Sequence, residues 1–246
     1  MRVIFLSLLL LCITISPLSG CSVMEAEPET SVFYAPHADD EVLSLGPSIL
    51  GQLDKGNKVA VVLLSHGEAS QSLKTINTLL SEMKHPPLTA EEFGDSRVKE
   101  FRKSVKELEV ESKNVYVYDL PDGEVKKEDV IRVMKEMNKR YPSASHHTLS
   151  YEDPHRDHSA SGLALKELVE KGTIDSARYY LPIQEFKNLE YDNTYPVPEN
   201  RTDEYDNSLN AYRIWEPEKG FYSIGYHSVK SYFEKAEMYS ESRWHK

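Results

Sequence analysis

The sequence predicts an α/β fold, a Rossmann-like three-layer sandwich built on a mostly parallel sheet. Three observations carry that expectation. Short apolar runs recur at residues 32–35, 59–64, 115–118 and 177–181, and the first two (VFYA and VAVVLL) are continuous rather than alternating. Continuous apolar runs belong to strands covered on both faces. Between the runs lie stretches of helical period, and strands alternating with helices at this spacing require right-handed crossovers and a parallel sheet. Finally, the histidines and acids gather directly after the strands, on the edge where open α/β sheets bind ligands.

The first strand is expected over 32–35, because Pro36 cannot donate to a ladder. Residues 37–41 (HADDE) then form a loop. Gly46-Pro47 opens a helix over 47–54, with proline in its first turn. That places the acids several residues ahead of the helix, poorly placed to cap it. A second strand covers 59–64 and is followed by Ser65-His66-Gly67-Glu68 on the same rim. Residues 70–94 are mixed in character and are expected to be a lid or substrate loop. Residues 96–110 form an amphipathic helix with Val98, Phe101, Val105 and Leu108 on one stripe. A third strand (115–118) runs into the turn Asp119-Leu120-Pro121-Asp122-Gly123. A helix follows over 130–141, a weak strand over 147–151, a helix over 159–171 closed by Gly172, and a strand over 177–181. Beyond about residue 185 the pattern dissolves and regains helical character only near 228–238, so the tail is expected to build the rim of the same domain.

The N-terminal stretch reads as a targeting signal. Arg2 precedes an apolar run over 3–15 that is short for a membrane span, and Leu18-Ser19-Gly20-Cys21 follows. This resembles a bacterial lipoprotein signal. The expected organisation is therefore a signal over 1–20, a polar tether over 21–30 and a catalytic domain over 31–246. Cys21 would be lipidated and would hold the protein, extracytoplasmically, to a bacterial membrane. Cys12 would leave with the signal, so no disulfide is expected. The formal charge of -11 excludes nucleic acid as a natural partner. No Gly-x-Gly-x-x-Gly follows a strand, which leaves a dinucleotide cofactor unsupported. The oligomeric state is open.

Chemistry is concentrated in two half-sites. His37 and Asp40, three residues apart in a loop, can turn onto one metal ion while Asp39 stays free beside it, the arrangement that metal-assisted hydrolysis needs. The competing reading is that acids after a strand merely complement a helix N-terminus. Tyr151-Glu152-Asp153-Pro154-His155-Arg156-Asp157-His158 supplies the second half-site, again between a strand and a helix. One of His155 and His158 can ligate the metal while the other faces the substrate.

With both motifs in view, the chain resembles the LmbE-like deacetylases, which include the N-acetylglucosaminyl-phosphatidylinositol de-N-acetylases (PIG-L). Pro36-His37-Ala38-Asp39-Asp40-Glu41 is similar to the family's Pro-His-Pro-Asp-Asp-Glu, and His155-Arg156-Asp157-His158 to its His-Pro-Asp-His. Ala38 and Arg156 replace the inner prolines. The resemblance spans about 32–172 and extends weakly to Ser65–Glu68, Arg97, Glu100 and Leu120–Gly123. It implies zinc, one divalent ion per chain, on His37, Asp40 and His158. It also implies Asp39 as general base and His155 as the group that polarises the carbonyl or protonates the leaving amine. Asp157 is a candidate to orient a histidine, and Glu68 and Arg97 to support the site or the substrate. Glu41 is left structural, and His66, His85, His146, His147 and His245 are read as surface or packing residues. The implied reaction is removal of an N-acetyl group from an N-acetylglucosamine-type sugar or conjugate. Two alternatives stay open: another N-acyl substrate for the same zinc chemistry, and an inactive, lipid-anchored glycan-binding protein.

Overall fold

The computed structural model describes residues 28–246. The signal, most of the tether and Cys21 lie outside the described residues. Among the described residues nine strands are formed: β1 (Thr30–Ala35), β2 (Lys58–Leu63), β3 (Val115–Val117), β4 (Ser145–Leu149), β5 (Ala177–Tyr180), β6 (Asn193–Pro196), β7 (Trp215–Glu216), β8 (Phe221–Tyr222) and β9 (Glu241–His245). Seven make the main sheet in the order β3-β2-β1-β4-β5-β9-β6, while β7 and β8 form a small separate ribbon. β1 to β5 are mutually parallel, and β9 runs antiparallel to both β5 and β6. The chain leaves β1 towards β2 and β3, then returns to lay β4 on β1's other side. The gap outside the carboxyl ends of β1 and β4 is thus a topological switch point.

Helices cover both faces, as the continuous apolar strands require. They are α1 (Asp40–Leu43), α2 (Gly46–Asp54), α3 (Ser72–Glu82), α4 (Ala90–Glu107), α5 (Lys127–Arg140), α6 (Arg156–Glu170), α7 (Thr202–Ala211) and α8 (Ile224–Tyr239). Strand alternation sorts the core in two. Phe33, Ala35, Val61 and Leu63 pack with Ile49, Phe101, Leu209 and Phe233 from α2, α4, α7 and α8. Val32, Tyr34, Ala60 and Val62 pack with Val130, Met134, Leu165 and Leu168 from α5 and α6. Truncating a side chain such as Phe33, fully buried between layers, costs about 3–5 kcal/mol by transfer and cavity terms together.

Four expectations change. Residues 70–94 are not an open loop. They carry α3, whose Ile76 and Leu80 are buried against Phe93 and Ile224, and the start of α4. Thr89 and Glu92 form a reciprocal capping box there, so α4 begins well before residue 96. The acids after β1 do not lie wholly in a loop, because Asp40 and Glu41 open the one-turn helix α1. The His155 motif likewise enters a helix at once, with His155 at the N-cap of α6. The tail does more than build the rim, since β9 and β6 extend the main sheet. Among the described residues no helix is long and apolar enough to cross a membrane.

Candidate active site

The two half-sites meet at the switch point. Asp39 adopts φ 119°, a left-handed conformation that costs energy in any non-glycine residue. The surroundings hold it there. Its N–H donates to Glu41 Oε2 at 2.9 Å, and the preceding Ala38 carbonyl accepts from Arg97 Nη2 at 2.8 Å. Glu41 is fully buried and is itself fixed, with Oε1 accepting from Ser104 Oγ and Tyr212 Oη, each at 2.7 Å. This twist turns Asp39 and its neighbour Asp40 in different directions.

On the other side, α6 packs tightly against the chain that follows β4. Gly162 permits it: a Cβ there would collide with the backbone of Tyr151 and Leu149. One turn earlier this contact places His158 beside the β1 loop. His37 Nδ1 lies 3.1 Å from His158 Nε2, and Asp40 Oδ2 lies 3.4 Å from each. A tetrahedral zinc site with bonds of ~2.0–2.1 Å has ligand–ligand edges of about 3.3 Å, so this triangle has the size a metal needs. The opposite nitrogens are also engaged. His158 Nδ1 meets Asp153 Oδ2 at 2.6 Å, and His37 Nε2 meets Asp157 Oδ2 at 3.2 Å and Asp122 Oδ1 at 3.3 Å. Carboxylates on the far ring nitrogens of ligating histidines fix tautomer and ring orientation. Two other groupings around His37 are close enough to hold an ion, one with His155 and His158 and one with Asp122 and Asp157. The triangle with Asp40 leaves the outer hydrogen bonds of His37 Nε2 and His158 Nδ1 in place, whereas the grouping with Asp122 and Asp157 would use them.

Charge behaviour agrees with the geometry. Burial alone would lower His158, but the charge of Asp40 and a hydrogen bond to Asp153 raise it to about 9. His37 is raised well above the ordinary histidine value: burial opposes the shift, and Asp122, Asp157 and Asp40 outweigh it. Burial would raise Asp40, yet the two histidines hold it far below the usual carboxylate range. The surrounding acids favour the cationic form of both histidines, as they would favour any positive charge placed there.

The flanking residues divide clearly. Burial raises Asp39 to about 8, with Arg97 opposing and Asp40 and Glu41 adding to the shift. Arg97 sits 3.5 Å from Asp39 Oδ2 and donates to the Gly67 carbonyl at 3.2 Å, so it pairs with the acid and braces two loops. His155 is exposed and stacks on His158, ring centroids 4.4 Å apart. Its Nδ1 accepts the Asp157 N–H at 3.3 Å. Its pKa is lowered by burial, then by His158 and His37. A neutral ring whose Nδ1 is an acceptor carries its proton on Nε2 and is a donor there. Asp157, in the first turn of α6, accepts from Gly123 and Val125 N–H at 2.7 and 3.2 Å rather than capping its own helix. Glu68 does not line the cavity: its Cβ lies beside Gly94, and its Oε2 is buried and unpartnered.

A cavity of about 440 Å³ opens over the triangle, walled by Asp39, Arg97, Asp122 and His155, with Gln184, Ser228 and Tyr232 contributed by the tail. Sequence reasoning missed Asp122 and Asp153 as partners of the histidines. Asp122 was visible only as part of a turn. The signal for Asp153 was its place in the same strand-to-helix connection as His158.

This fold and site define a class: an α/β protein with a two-histidine, one-carboxylate centre at a switch point and a free carboxylate beside it. The sequence matches the GlcNAc-PI de-N-acetylase (PIG-L) family over residues 32–169, and the chain belongs to that family. No curated protein matches it. Among solved structures it is similar to a deacetylase triple mutant of the teicoplanin biosynthetic pathway, at 16% identity over 88% of this chain and 96% of that one, TM-score 0.66. It is also similar to the N,N'-diacetylchitobiose deacetylase of Pyrococcus horikoshii, at 16% identity over 89% and 84%, TM-score 0.61. A third is the 4-carboxy-2-hydroxymuconate hydratase of Pseudomonas putida KT2440, at 16% identity over 88% and 95%, TM-score 0.58. At such identities the likeness establishes the fold, and the hydratase is a reminder that reaction must be argued from the site.

Proposed function

We propose that this chain is a metal-dependent N-deacetylase that hydrolyses the acetamide of an N-acetylglucosamine-type sugar or conjugate, exported and held to a bacterial membrane by a lipid on Cys21. The observation that carries the catalytic part is the triangle of His37 Nδ1, Asp40 Oδ2 and His158 Nε2 with Asp39 left free beside it. Family membership supports the substrate class, and the Leu18-Ser19-Gly20-Cys21 stretch supports the anchor.

His37, Asp40 and His158 would hold the ion, and zinc suits two imidazoles and a carboxylate. When bound, such an ion supplies a Lewis acid for the amide oxygen and lowers the pKa of water. Asp39 accepts the proton of the attacking water and returns it to the departing amine, so acetate and a free amine leave and the residue ends as it began. Arg97, 3.5 Å away, opposes the burial that raises Asp39 and so favours its ionised form. His155 donates its Nε2–H to the oxygen that gains negative charge as water adds. It does so as a neutral imidazole rather than an imidazolium.

The test combines metal content with amine release from a panel of N-acetylated sugars, using residues 28–246, Asp39→Asn and His158→Ala. The expected outcome is about one metal per chain with amine release in the parent. Asp39→Asn should retain the metal and lose about 10²–10⁴-fold in rate. A parent that binds metal but releases no amine from any sugar would overturn the substrate assignment. Retention of rate by Asp39→Asn would overturn its role as base. For the anchor, the mass of the protein from membranes should include diacylglyceryl on Cys21, and Cys21→Ala should abolish it.

A further inference from the structure

The catalytic cavity is one end of a longer groove, and its far end differs in chemistry. Beyond the cavity lies a saddle lined by Gln71, Ser72, Thr75 and Ser228, with Lys74 at its edge and His227 at its exit. Gln71, Ser72 and Ser228 also wall the catalytic cavity. His227 in turn lines a second hollow of about 460 Å³, whose other walls include Leu79, Met83, Trp215 and Tyr226. The three spaces therefore share wall residues and lie side by side along one face.

Two antiparallel helical segments make the groove. Along α3, Ser72, Thr75, Leu79 and Glu82 follow helical spacing and form one stripe, polar near the catalytic end, apolar at Leu79 and ending on the exposed carboxylate of Glu82 at the rim of the far hollow. Along α8 the order is reversed: Tyr226 and His227 face the far hollow, and Tyr232 reaches the catalytic cavity. The bend in α8 at Val229 lets both ends face the same groove. From Ser72 to Glu82, α3 is about 15 Å long, more than a single sugar ring occupies.

The geometry points to a distal subsite for an apolar aglycone, an alkyl or aryl group carried by the amino sugar whose acetamide is cut. This rests on the deacetylase reading of the catalytic cavity. The far hollow offers an aromatic floor in Trp215 and Tyr226 and aliphatic walls in Leu79 and Met83, the latter 50% exposed. It offers no free cation for an anionic group, since Arg213 is paired with Glu237 at 2.7 Å and lies over the Tyr226 ring. The hydroxyl and amide groups of the saddle suit the polar junction between sugar and aglycone. An amphipathic substrate matches this polar-then-apolar sequence, and a free monosaccharide leaves the far half empty.

The experiment has two independent arms. In the first, kcat/KM for amine release is measured on methyl, butyl and octyl glycosides of N-acetylglucosamine, both anomers. The octyl compound is expected to exceed the methyl compound on the order of a hundredfold, through KM, as buried methylenes accumulate. Met83→Asp, an exposed and fold-neutral change, and Trp215→Ala should each remove at least about tenfold of that gain while leaving the methyl glycoside unchanged. In the second arm, Trp244→Phe leaves Trp215 as the single indole, and octyl glucosaminide should alter its fluorescence where methyl glucosaminide does not. Chain-length independence together with a silent Trp215 overturns the subsite. A chain-length-dependent Trp215 response without amine release from any substrate supports the subsite and overturns the deacetylase reading alone. Amine release without either effect does the reverse.

Discussion

Two histidine pairs, one inside β4 and one just beyond the ends of β1 and β4, behave oppositely. His146 and His147 lie within β4 and are fully buried. Their partners are neutral: Tyr34 Oη at 2.9 Å for His146, and Ser145 Oγ at 2.8 Å with the Phe33 ring at 4.4 Å for His147. Burial lowers His146 to about 4 and, aided by Arg178 and His146, pushes His147 well below its usual value. His37 and His158 lie just past the strand ends and are nearly as buried, yet both are raised. The difference is the carboxylates: Asp40, Asp122, Asp153 and Asp157 surround the second pair, while hydroxyls and rings surround the first. Residue type and burial alone therefore do not mark a metal site. What separates the two pairs is the convergence of ring nitrogens on one carboxylate oxygen, with acids behind each ring.

The largest effects should separate the pairs completely. His158→Ala should lose the metal and at least about 10³-fold in turnover, because one ligand of three is gone. His147→Phe should keep metal content at the parent level and lower only stability, read by inductively coupled plasma analysis beside chemical unfolding. Equal metal loss in both variants would sink the contrast. One step smaller, Asp153→Ala leaves the ligands in place but frees the far nitrogen of His158. Metal affinity should fall about 10–100-fold, measured by competition with a chelator.

Acidity sharpens the same contrast. His158 in the metal-free protein is raised to about 9, so metal must displace its proton. His37 is raised as well, so apparent affinity should rise with pH by at least about tenfold per unit between pH 7 and 9, for one or more protons released per ion bound. The buried pair acts in the other direction. Its folded-state pKa values are depressed, so its contribution to stability is present above about 6.5 and is lost as pH falls through about 4. Unfolding midpoints of the metal-free protein should fall over that window, and His146→Leu should flatten the decline.

Much of this was legible in the chain. Continuous apolar runs marked the two central strands, and motifs placed directly after strands put His37, Asp39, Asp40, His155 and His158 on one rim before any coordinates. What escaped depended on distant partners. α3 was hidden because its exposed polar residues and His85-Pro86-Pro87 obscure a stripe that buries only Ile76 and Leu80. β9 reads as ESRWH, with little alternation, and its place is set by β5 and β6 on either side. Asp122 looked like a turn residue because its second role exists only once the β3 loop meets His37. Glu68 shared the rim in sequence but does not line the cavity, a matter of side-chain direction that spacing does not report.

The smallest predicted effect probes the buried pair most directly. Among the described residues Tyr34 Oη is the one hydrogen-bond partner of the His146 ring, whose Nε2 is buried without one. Tyr34→Phe should leave the imidazole with both nitrogens unpaired and cost about 1–3 kcal/mol, the penalty for stranding a buried polar group. Adding His146→Leu removes the stranded group while keeping volume, and should recover most of that loss, since replacing both partners by apolar groups is nearly neutral. Urea unfolding of the two single variants and the double variant measures the coupling. Metal content and turnover should stay at parent levels throughout. A double variant no more stable than Tyr34→Phe, or one that loses metal, would mean that the imidazole inside β4 does more than pack.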